Sequence, residues 1–463
     1  MNSHSPPEAR REERQKTRRF NPASLGKAAL LSALALAFAV ILIGSTLFRR
    51  SFQVQVTGSS MEPAIAGPRV EIHCPACGKT TQLTAEETTL DHLNDYRCRG
   101  CRLCGFTLVP IPRTARPGEK LNITPCRGRA PKRGEVVLVS APDGKNAPLT
   151  LKRVLGLPGE QVEIVRGNIL INGQFITDAD WDQTLIPIDS MTLRRRGNTL
   201  AFTHTAPIPF EQIDDSRPAP VPVPLSNEIP RLEAAPPVAL EYIHDFVLKV
   251  TLSASGVSPR IFVDQGDIRW LITVNRQMET ITLAQAPGEA KNTIDQWCEE
   301  EFSTALSAPV SLGGFSAENG ENDQKKYHLE LRFRRLSAEV VLNGQSLLTT
   351  FAKMSLADWK KGENIPITTP AAIELPSGVP SDISGNQEDS QALSRLLSTA
   401  GGIEEISLYR GPCYSEPNPG RVYNVPRECY FLLGDNSAVS IDARLWPAFV
   451  PRESIRGVVT SCL

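Results

Sequence analysis

Little in this sequence favours one sign of charge: 50 Lys and Arg stand against 51 Asp and Glu, a formal net charge of −1 over 463 residues. A nucleic-acid-binding protein would normally show a strongly basic face, so the balance gives that class no support and no nucleic-acid partner is expected. Aromatic residues make up only 6% of the chain while proline reaches 37 residues, a composition that favours strands and loops over a helical bundle. A chain this long can bury a substantial core, and at about 100–200 residues per domain it has room for two or three units.

Charge is also missing locally. No charged side chain occurs from Ala28 to Phe48. Those residues, as a helix, would span about 31 Å, close to the hydrocarbon thickness of a bilayer, so 28–48 is read as a transmembrane anchor in the lipid bilayer. The tail before it, 1–27, carries Arg10, Arg11, Arg14, Lys16, Arg18, Arg19 and Lys27, whereas only Arg49 and Arg50 follow closely. That asymmetry places the N-terminus in the cytoplasm and the remainder outside, as a single-pass protein of the cell membrane. The rival reading is a cleavable signal peptide, but the apolar run is long and Gly44-Ser45-Thr46-Leu47-Phe48 lacks a clear small-x-small exit.

Beyond the anchor, short apolar runs alternate with turn signals. Val162-Glu163-Ile164-Val165 and Ile169-Leu170-Ile171 flank Arg166-Gly167-Asn168, and Asn172-Gly173 follows, the pattern of a hairpin and its next turn. The fold class is therefore mainly β. Two inserts interrupt the pattern: a cysteine-rich stretch at 74–105 within a first part at 51–189, and a long segment at 190–400 before a second part at 401–463. The long segment opens with a Pro-rich passage, Pro218 to Pro237. It then shows strand-like runs at 246–252, 270–274, 328–333 and 339–342, the last leading into the hairpin signal Asn343-Gly344. It is expected to be a β-sandwich-like domain, appended with few obligatory contacts to the rest, and Pro380 to Gln391 is read as the returning loop.

Three segments carry chemistry. Ser60 lies in Gly58-Ser59-Ser60-Met61-Glu62-Pro63, ten residues beyond Arg50. Taken alone, a Ser in a turn is usually a hydrogen-bonding or capping residue. Lys152 stands in Leu151-Lys152-Arg153-Val154-Leu155-Gly156-Leu157-Pro158-Gly159-Glu160, a strand. A solvated lysine there would be unremarkable, but burial would disfavour its ammonium and leave an amine able to take a proton from a Ser hydroxyl. The third segment is Gly434-Asp435-Asn436-Ser437-Ala438-Val439-Ser440-Ile441-Asp442-Ala443-Arg444, readable by itself as a polar turn closed by an Asp–Arg pair.

In this order and after an anchor, the three segments resemble the signature boxes of bacterial type I signal peptidase, with Arg133-Gly134-Glu135-Val136-Val137 similar to the strand box between the first two. The resemblance implies a β-rich catalytic domain and a serine endopeptidase with a Ser–Lys dyad, removing signal peptides from exported preproteins. It makes Ser60 the nucleophile, Lys152 the general base and Ser440 the hydroxyl that holds the lysine amine. Asp442 and Arg444 become a supporting ion pair, Met61 and Pro63 shape the nucleophile turn, and the backbone N–H of Ser60 is the oxyanion donor. No cofactor is implied for catalysis. The family often adds a hydroxyl two residues before the nucleophile, where this chain has Gly58, and Pro447 stands where the family often has Gly. The chain has six His, and none belongs to the matched boxes, so a Ser–His–Asp protease would need an unrelated nucleophile. A different class, an adhesion or substrate-recruiting module on a protease scaffold, would leave Ser60, Lys152 and Ser440 without use; a processing protease with a narrow set of clients would keep them.

Cys74-Pro75-Ala76-Cys77-Gly78 and Cys101-Arg102-Leu103-Cys104-Gly105 form two C-x-x-C-G knuckles, a spacing that presents Cys74, Cys77, Cys101 and Cys104 to a structural zinc. Two disulfides are the alternative in an oxidising compartment. Cys98 is another candidate ligand, and Cys413 with Cys429 a candidate disulfide. Ribbon inserts placed directly after the nucleophile box resemble those of planctomycete signal peptidases.

Overall fold

Runs such as Val136-Val137-Leu138-Val139 are too short for helices and rich in β-branched side chains that fit a pleated surface. The chain accordingly folds almost wholly into antiparallel sheets. The computed structural model describes residues 51–462 apart from 86–97, 100, 102–108, 113, 127, 143–147, 177–184, 189–190, 197–198, 207–220, 230, 232–238, 254–257, 276–278, 288–302, 306–309, 312–317, 320–324, 363–364 and 375–401. The anchor at 28–48, Cys104, Cys298 and the loop from Pro380 to Gln391 lie outside the described residues. Among the described residues no helix is long and apolar enough to cross a membrane.

One seven-stranded sheet comprises β1 (Phe52–Gln55), β2 (Lys120–Thr124), β3 (Val136–Ser140), β4 (Leu149–Gly156), β5 (Cys429–Leu433), β6 (Val450–Pro451) and β7 (Ile455–Cys462). Its order is β1-β2-β7-β3-β4-β5-β6. Val137 of β3 faces Lys152 of β4, and Leu433 of β5 faces Arg153, so the second and third chemistry-bearing segments meet on neighbouring strands. Val56, Met61, Ile65, Leu121, Ile123 and Leu138 form an apolar cluster beneath the segment that holds Ser60.

Beside this sheet lies a four-stranded one, in which Gln161–Val165 and Asn168–Ile171 pair with Val165 opposite Asn168. Its turn residues Arg166 and Gly167 have φ of 48° and 79°, the left-handed pair that a two-residue hairpin matching strand twist requires. A side chain at Gly167 would also meet the Cys413 sulfur at 2.6 Å.

The long insert forms two sheets. One runs Ile186–Pro187, Ile403–Arg410, Phe246–Ser253, Lys325–Arg334, Ser337–Leu342, Gln345–Phe351; the other includes Thr199–Ala206, Ala371–Glu374, Arg260–Asp264, Ile268–Asn275 and Thr280–Pro287. Phe246, Leu248, Val250, Leu331 and Phe333 of the first share one core with Leu200, Ile261, Val263, Trp270 and Ile272 of the second, the alternation of a two-layer sandwich. Its boundaries differ from 190–400. The strands at 186–187 and 403–410 belong to the sandwich, because each supplies ladder partners to its first sheet.

The sandwich also makes more contacts with the rest than its Pro-rich approach and polar return predict. Arg166, on the hairpin turn, pairs with Asp267, donates to the Trp359 carbonyl at 3.1 Å and lies 5.1 Å from that indole ring centre. Lys360 pairs with Glu163, and Phe175 meets Trp359 edge to face at 5.2 Å. Trp359 belongs to the short helix Leu356–Lys361, so one helix of the insert supplies most of this seam. Composition reports the polarity of a connecting segment, not what its ends are packed against.

Candidate active site

The segment that holds Ser60 is a tight turn fixed from below and from the side. Glu62 N donates to Ser59 O at 3.1 Å and Ile65 N to Met61 O at 3.0 Å, while Met61 is sunk in the apolar cluster, 1% exposed. Ser60 remains half-buried, as a hydroxyl must be if a substrate is to reach it. Lys152, only 2% exposed, holds its Nζ 3.1 Å from Ser60 Oγ. The two residues stand 92 apart in sequence and are joined by the passage of β4 under the turn.

The glycine-led segment after β5 binds both partners' supports. Asn436 N donates to Ser60 O at 3.1 Å, and Asn436 Nδ2 to Ser59 O at 3.1 Å, so one asparagine clasps the nucleophile turn twice. Asp435 takes two hydrogen bonds from Arg153, at 2.8 and 2.5 Å, and one from the Tyr414 hydroxyl at 3.0 Å. Gly434 has no room for a side chain: a Cβ would lie 2.2 Å from Ser440 Oγ and 2.5 Å from Ser60 O.

Asp442 and Arg444 form a two-pronged ion pair with both side chains fully buried, Nε to Oδ1 at 2.8 Å and Nη2 to Oδ2 at 2.9 Å. The remaining guanidinium hydrogens go to Ser415 O at 2.6 Å, Ser437 Oγ at 2.7 Å and Ser437 O at 3.0 Å. A buried charge pair is tolerable only when its other donors and acceptors are also satisfied, and here they are. Ser440 is fully buried but its Oγ has no hydrogen-bond partner among the described residues. The structure therefore brings Ser440 beside the Ser60 turn without joining its hydroxyl to Lys152. Burial pushes the Glu62 carboxyl up to about 7, against the opposing pull of Arg69 at 3.5 Å and a 2.8 Å hydrogen bond from Gly67 N.

Asn436, Asp435, Arg153 and Tyr414 are functional neighbours that sequence reasoning did not single out. The first three lie inside the quoted segments, where their polar character was the available signal; nothing in the sequence connects Tyr414 to them.

In the cysteine insert, strands Arg69–His73 and Thr80–Thr84 bracket the first knuckle, whose turn is closed by Gly78 N to Cys74 O and Cys74 N to Lys79 O, both 2.9 Å. The sulfurs of Cys74, Cys77 and Cys101 all lie within 4.8 Å of one another, and Cys77 and Cys101 are 3.8 Å apart. A disulfide would need about 2.05 Å, whereas thiolates around a tetrahedral zinc stand about 3.8 Å apart at a bond length of about 2.3 Å. The donor set fits a metal, with Cys104 outside the described residues. The pairing of Cys413 with Cys429 is not formed. Both are free thiols, Cys413 buried under Gly167 and Cys429 on β5 opposite Pro451, because the insert's return leads Cys413 to the hairpin rather than to the sheet.

A curated relative, the probable signal peptidase I-2 of Synechocystis, is 36% identical over 56 residues, 11% of this chain and 26% of that one, so the match spans about a quarter of the relative's length. Among solved structures, sheep galectin-11 in complex with glycerol is similar at 10% identity and TM-score 0.17, covering 31% of this chain and 92% of its own. A galectin of Caenorhabditis elegans is similar at 11% identity and TM-score 0.18, covering 41% and 88%. Likenesses this weak assign the sandwich neither a ligand nor a relative. The family description "Signal peptidase, peptidase S26" matches residues 27–204 and 382–463, just over half of the chain, and the gap between them falls within the sandwich. On that match, which takes in the turn of Ser60, the strand of Lys152 and the segment of Ser440, Asp442 and Arg444, the chain belongs to the S26 signal peptidase family.

Proposed function

We propose that this protein is a membrane-anchored signal peptidase that removes signal peptides from exported preproteins through a Ser60–Lys152 dyad. The observation that carries the reading is the 3.1 Å approach of a buried lysine amine to a half-exposed serine hydroxyl. An amine held away from water gives up its proton more readily, and once neutral it can accept one. Ser60 Oγ attacks the scissile carbonyl as Lys152 takes its proton. The tetrahedral intermediate collapses to an acyl-enzyme, and Lys152 returns the proton to the leaving amine. Water then attacks the ester with Lys152 again as base. The backbone N–H of Ser60 serves the oxyanion.

Asn436 keeps the nucleophile turn in reach of the base, and the Asp442–Arg444 pair fixes the segment that bears Ser440. The buried, unspent hydroxyl of Ser440 is assigned to orient the lysine amine as its protonation changes. Residues 28–48 anchor the chain with its N-terminus in the cytoplasm, and the catalytic part faces outward, where preproteins emerge. Cys74, Cys77, Cys101 and, as the fourth ligand, Cys104 hold a structural zinc. Four protein ligands close such a site to water, so the metal supports the insert and takes no part in catalysis.

The test is cleavage of a panel of preproteins by the detergent-solubilised chain. Ser60→Ala, Lys152→Ala and Lys152→Arg are each expected to abolish product, the last because guanidinium stays protonated. Normal turnover by Ser60→Ala would end the dyad assignment. Metal analysis with thiol counting under denaturing conditions is expected to give about one zinc per chain and four reactive knuckle thiols; two disulfides and no metal would end the zinc assignment.

A further inference from the structure

The segment by which the chain leaves the sandwich is built into the back of the active site. The strand Ile403–Arg410, second from the edge of the first sandwich sheet, ends five residues before Ser415. Tyr414, fully buried, is pinned through its N–H to Gly167 O at 3.0 Å on the hairpin turn whose Arg166 grips the sandwich at Asp267 and Trp359. Its hydroxyl donates to Asp435 Oδ1 at 3.0 Å, the carboxylate that also receives Arg153, the residue after Lys152. The next residue, Asn436, makes both hydrogen bonds to Ser59 and Ser60. Ser415 adds a second tie, its N–H to Ser437 Oγ at 2.7 Å and its carbonyl to Arg444 at 2.6 Å.

Resting on the dyad reading above, we infer that Tyr414 is a positioning residue for cleavage: its hydroxyl fixes Asp435 so that Asn436 holds Ser60 in register with Lys152, and through it the nucleophile turn is braced by the inserted sandwich. The physical argument is one of stiffness. Among the described residues, the Asp435 side chain would keep Arg153 alone without the tyrosine, and Arg153 also donates at 2.7 Å to Gly134 O, so it is shared between two supports. A phenol donating to a carboxylate is a directional, charge-assisted contact, and displacement of a nucleophile by a fraction of an ångström is enough to slow acyl transfer strongly. Tyr414, Asp435 and Asn436 are buried away from solvent, so the effect is expected on the position of Ser60 and not on substrate binding.

The experiment uses the full chain in detergent and a short peptide bearing alanine at the first and third positions before the cut. Tyr414→Phe keeps the ring in its buried place and removes only the hydroxyl. It is expected to lower kcat by between about tenfold and a hundredfold with KM unchanged. Asn436→Ala is expected to lower kcat by at least as much, and the double variant to be no slower than Asn436→Ala alone, because the tyrosine acts through the asparagine. Thermal unfolding of each variant separates loss of fold from loss of register, and Asp435→Asn, which removes the carboxylate that receives the Tyr414 hydroxyl, serves as the second variant if Tyr414→Phe does not fold. Wild-type kcat in Tyr414→Phe, or a double variant whose loss is the product of the two single losses, overturns the brace. Ser60→Ala is run beside them: if it is inactive while Tyr414→Phe is normal, the brace alone fails; if it is active, the dyad reading fails first.

Discussion

The two halves of this molecule bury different things. Inside the sandwich, Trp270, Phe246, Phe333, Leu331 and Ile272 belong to one large cluster of buried apolar side chains, and the Trp270 indole N–H donates to Gln265 Oε1 at 2.6 Å. Behind the seven-stranded sheet, Lys152, Asp435, Asn436, Ser437, Ser440, Asp442 and Arg444 are all buried. Removing such groups from water is costly, and the cost is met only if nearly every donor and acceptor finds a partner. The dry half can tolerate changes of shape that conserve volume; the polar half can tolerate almost none. An interior rich in ionisable groups therefore marks where the chemistry sits, even before any substrate is placed.

The sharpest way to break this contrast is to cut one member of the polar network. Arg444→Ala leaves the buried Asp442 carboxylate without its counter-charge, holding only the backbone N–H groups of Gly434 and of residue 444, and takes a donor from the carbonyls of Ser415 and Ser437. A loss of about 3–5 kcal/mol is expected, along with essentially all peptide cleavage. Denaturant unfolding and a turnover assay measure the two losses; full activity in this variant would show that the pair is dispensable.

Trp270→Ala should cost a similar or slightly smaller amount, about 3–5 kcal/mol, by leaving a cavity at the centre of the dry core. The remaining folded fraction should cleave short peptides with a kcat close to wild type. A kcat that falls in proportion to the cavity would mean that core packing in the sandwich is felt at the dyad directly.

The smallest expected effects distinguish the halves by pH. Glu62, its carboxyl raised to about 7 by burial, binds a proton more tightly folded than unfolded, so its contribution is present at acid pH and is lost as pH rises through about 7. His244, in the sandwich, is pulled down to about 4 by burial, so its contribution is present at neutral pH and is lost as pH falls from about 6.5 through 4. Each is bounded by roughly 3 kcal/mol. Thermal unfolding at pH 5 and 8 should show Glu62→Gln gaining relative to wild type at the higher pH, and His244→Gln should lose less than wild type between pH 7 and 4. Parallel pH curves for wild type and both variants would remove the distinction.

Much of the sheet structure was legible because turn chemistry is local. Arg166-Gly167, Asn172-Gly173 and Asn343-Gly344 sit in left-handed conformations at the tips of hairpins where the sequence places them. Ser60 and Lys152 were legible as motif members, and the contact between them became visible only in the fold. What stayed hidden depends on pairing across long separations. Ile403–Arg410 has the composition of any strand, and only its ladder with Phe246–Ser253 assigns it to the sandwich. Tyr414 resembles a buried ring; its use follows from Asp435 lying beneath its hydroxyl, twenty-one positions later.

The central position of β7 has a consequence for biogenesis. Ile455–Cys462 lies between β2 and β3, separating strands that precede it by more than three hundred residues. While the chain is being made, β2 and β3 have no direct partner in each other, and the sheet beneath Ser60 stays open until Ile455–Cys462 is available. The sandwich, whose strands are complete by residue 410, can assemble earlier. Such late, long-range closure is slow, so the sheet beneath Ser60 is completed after the sandwich.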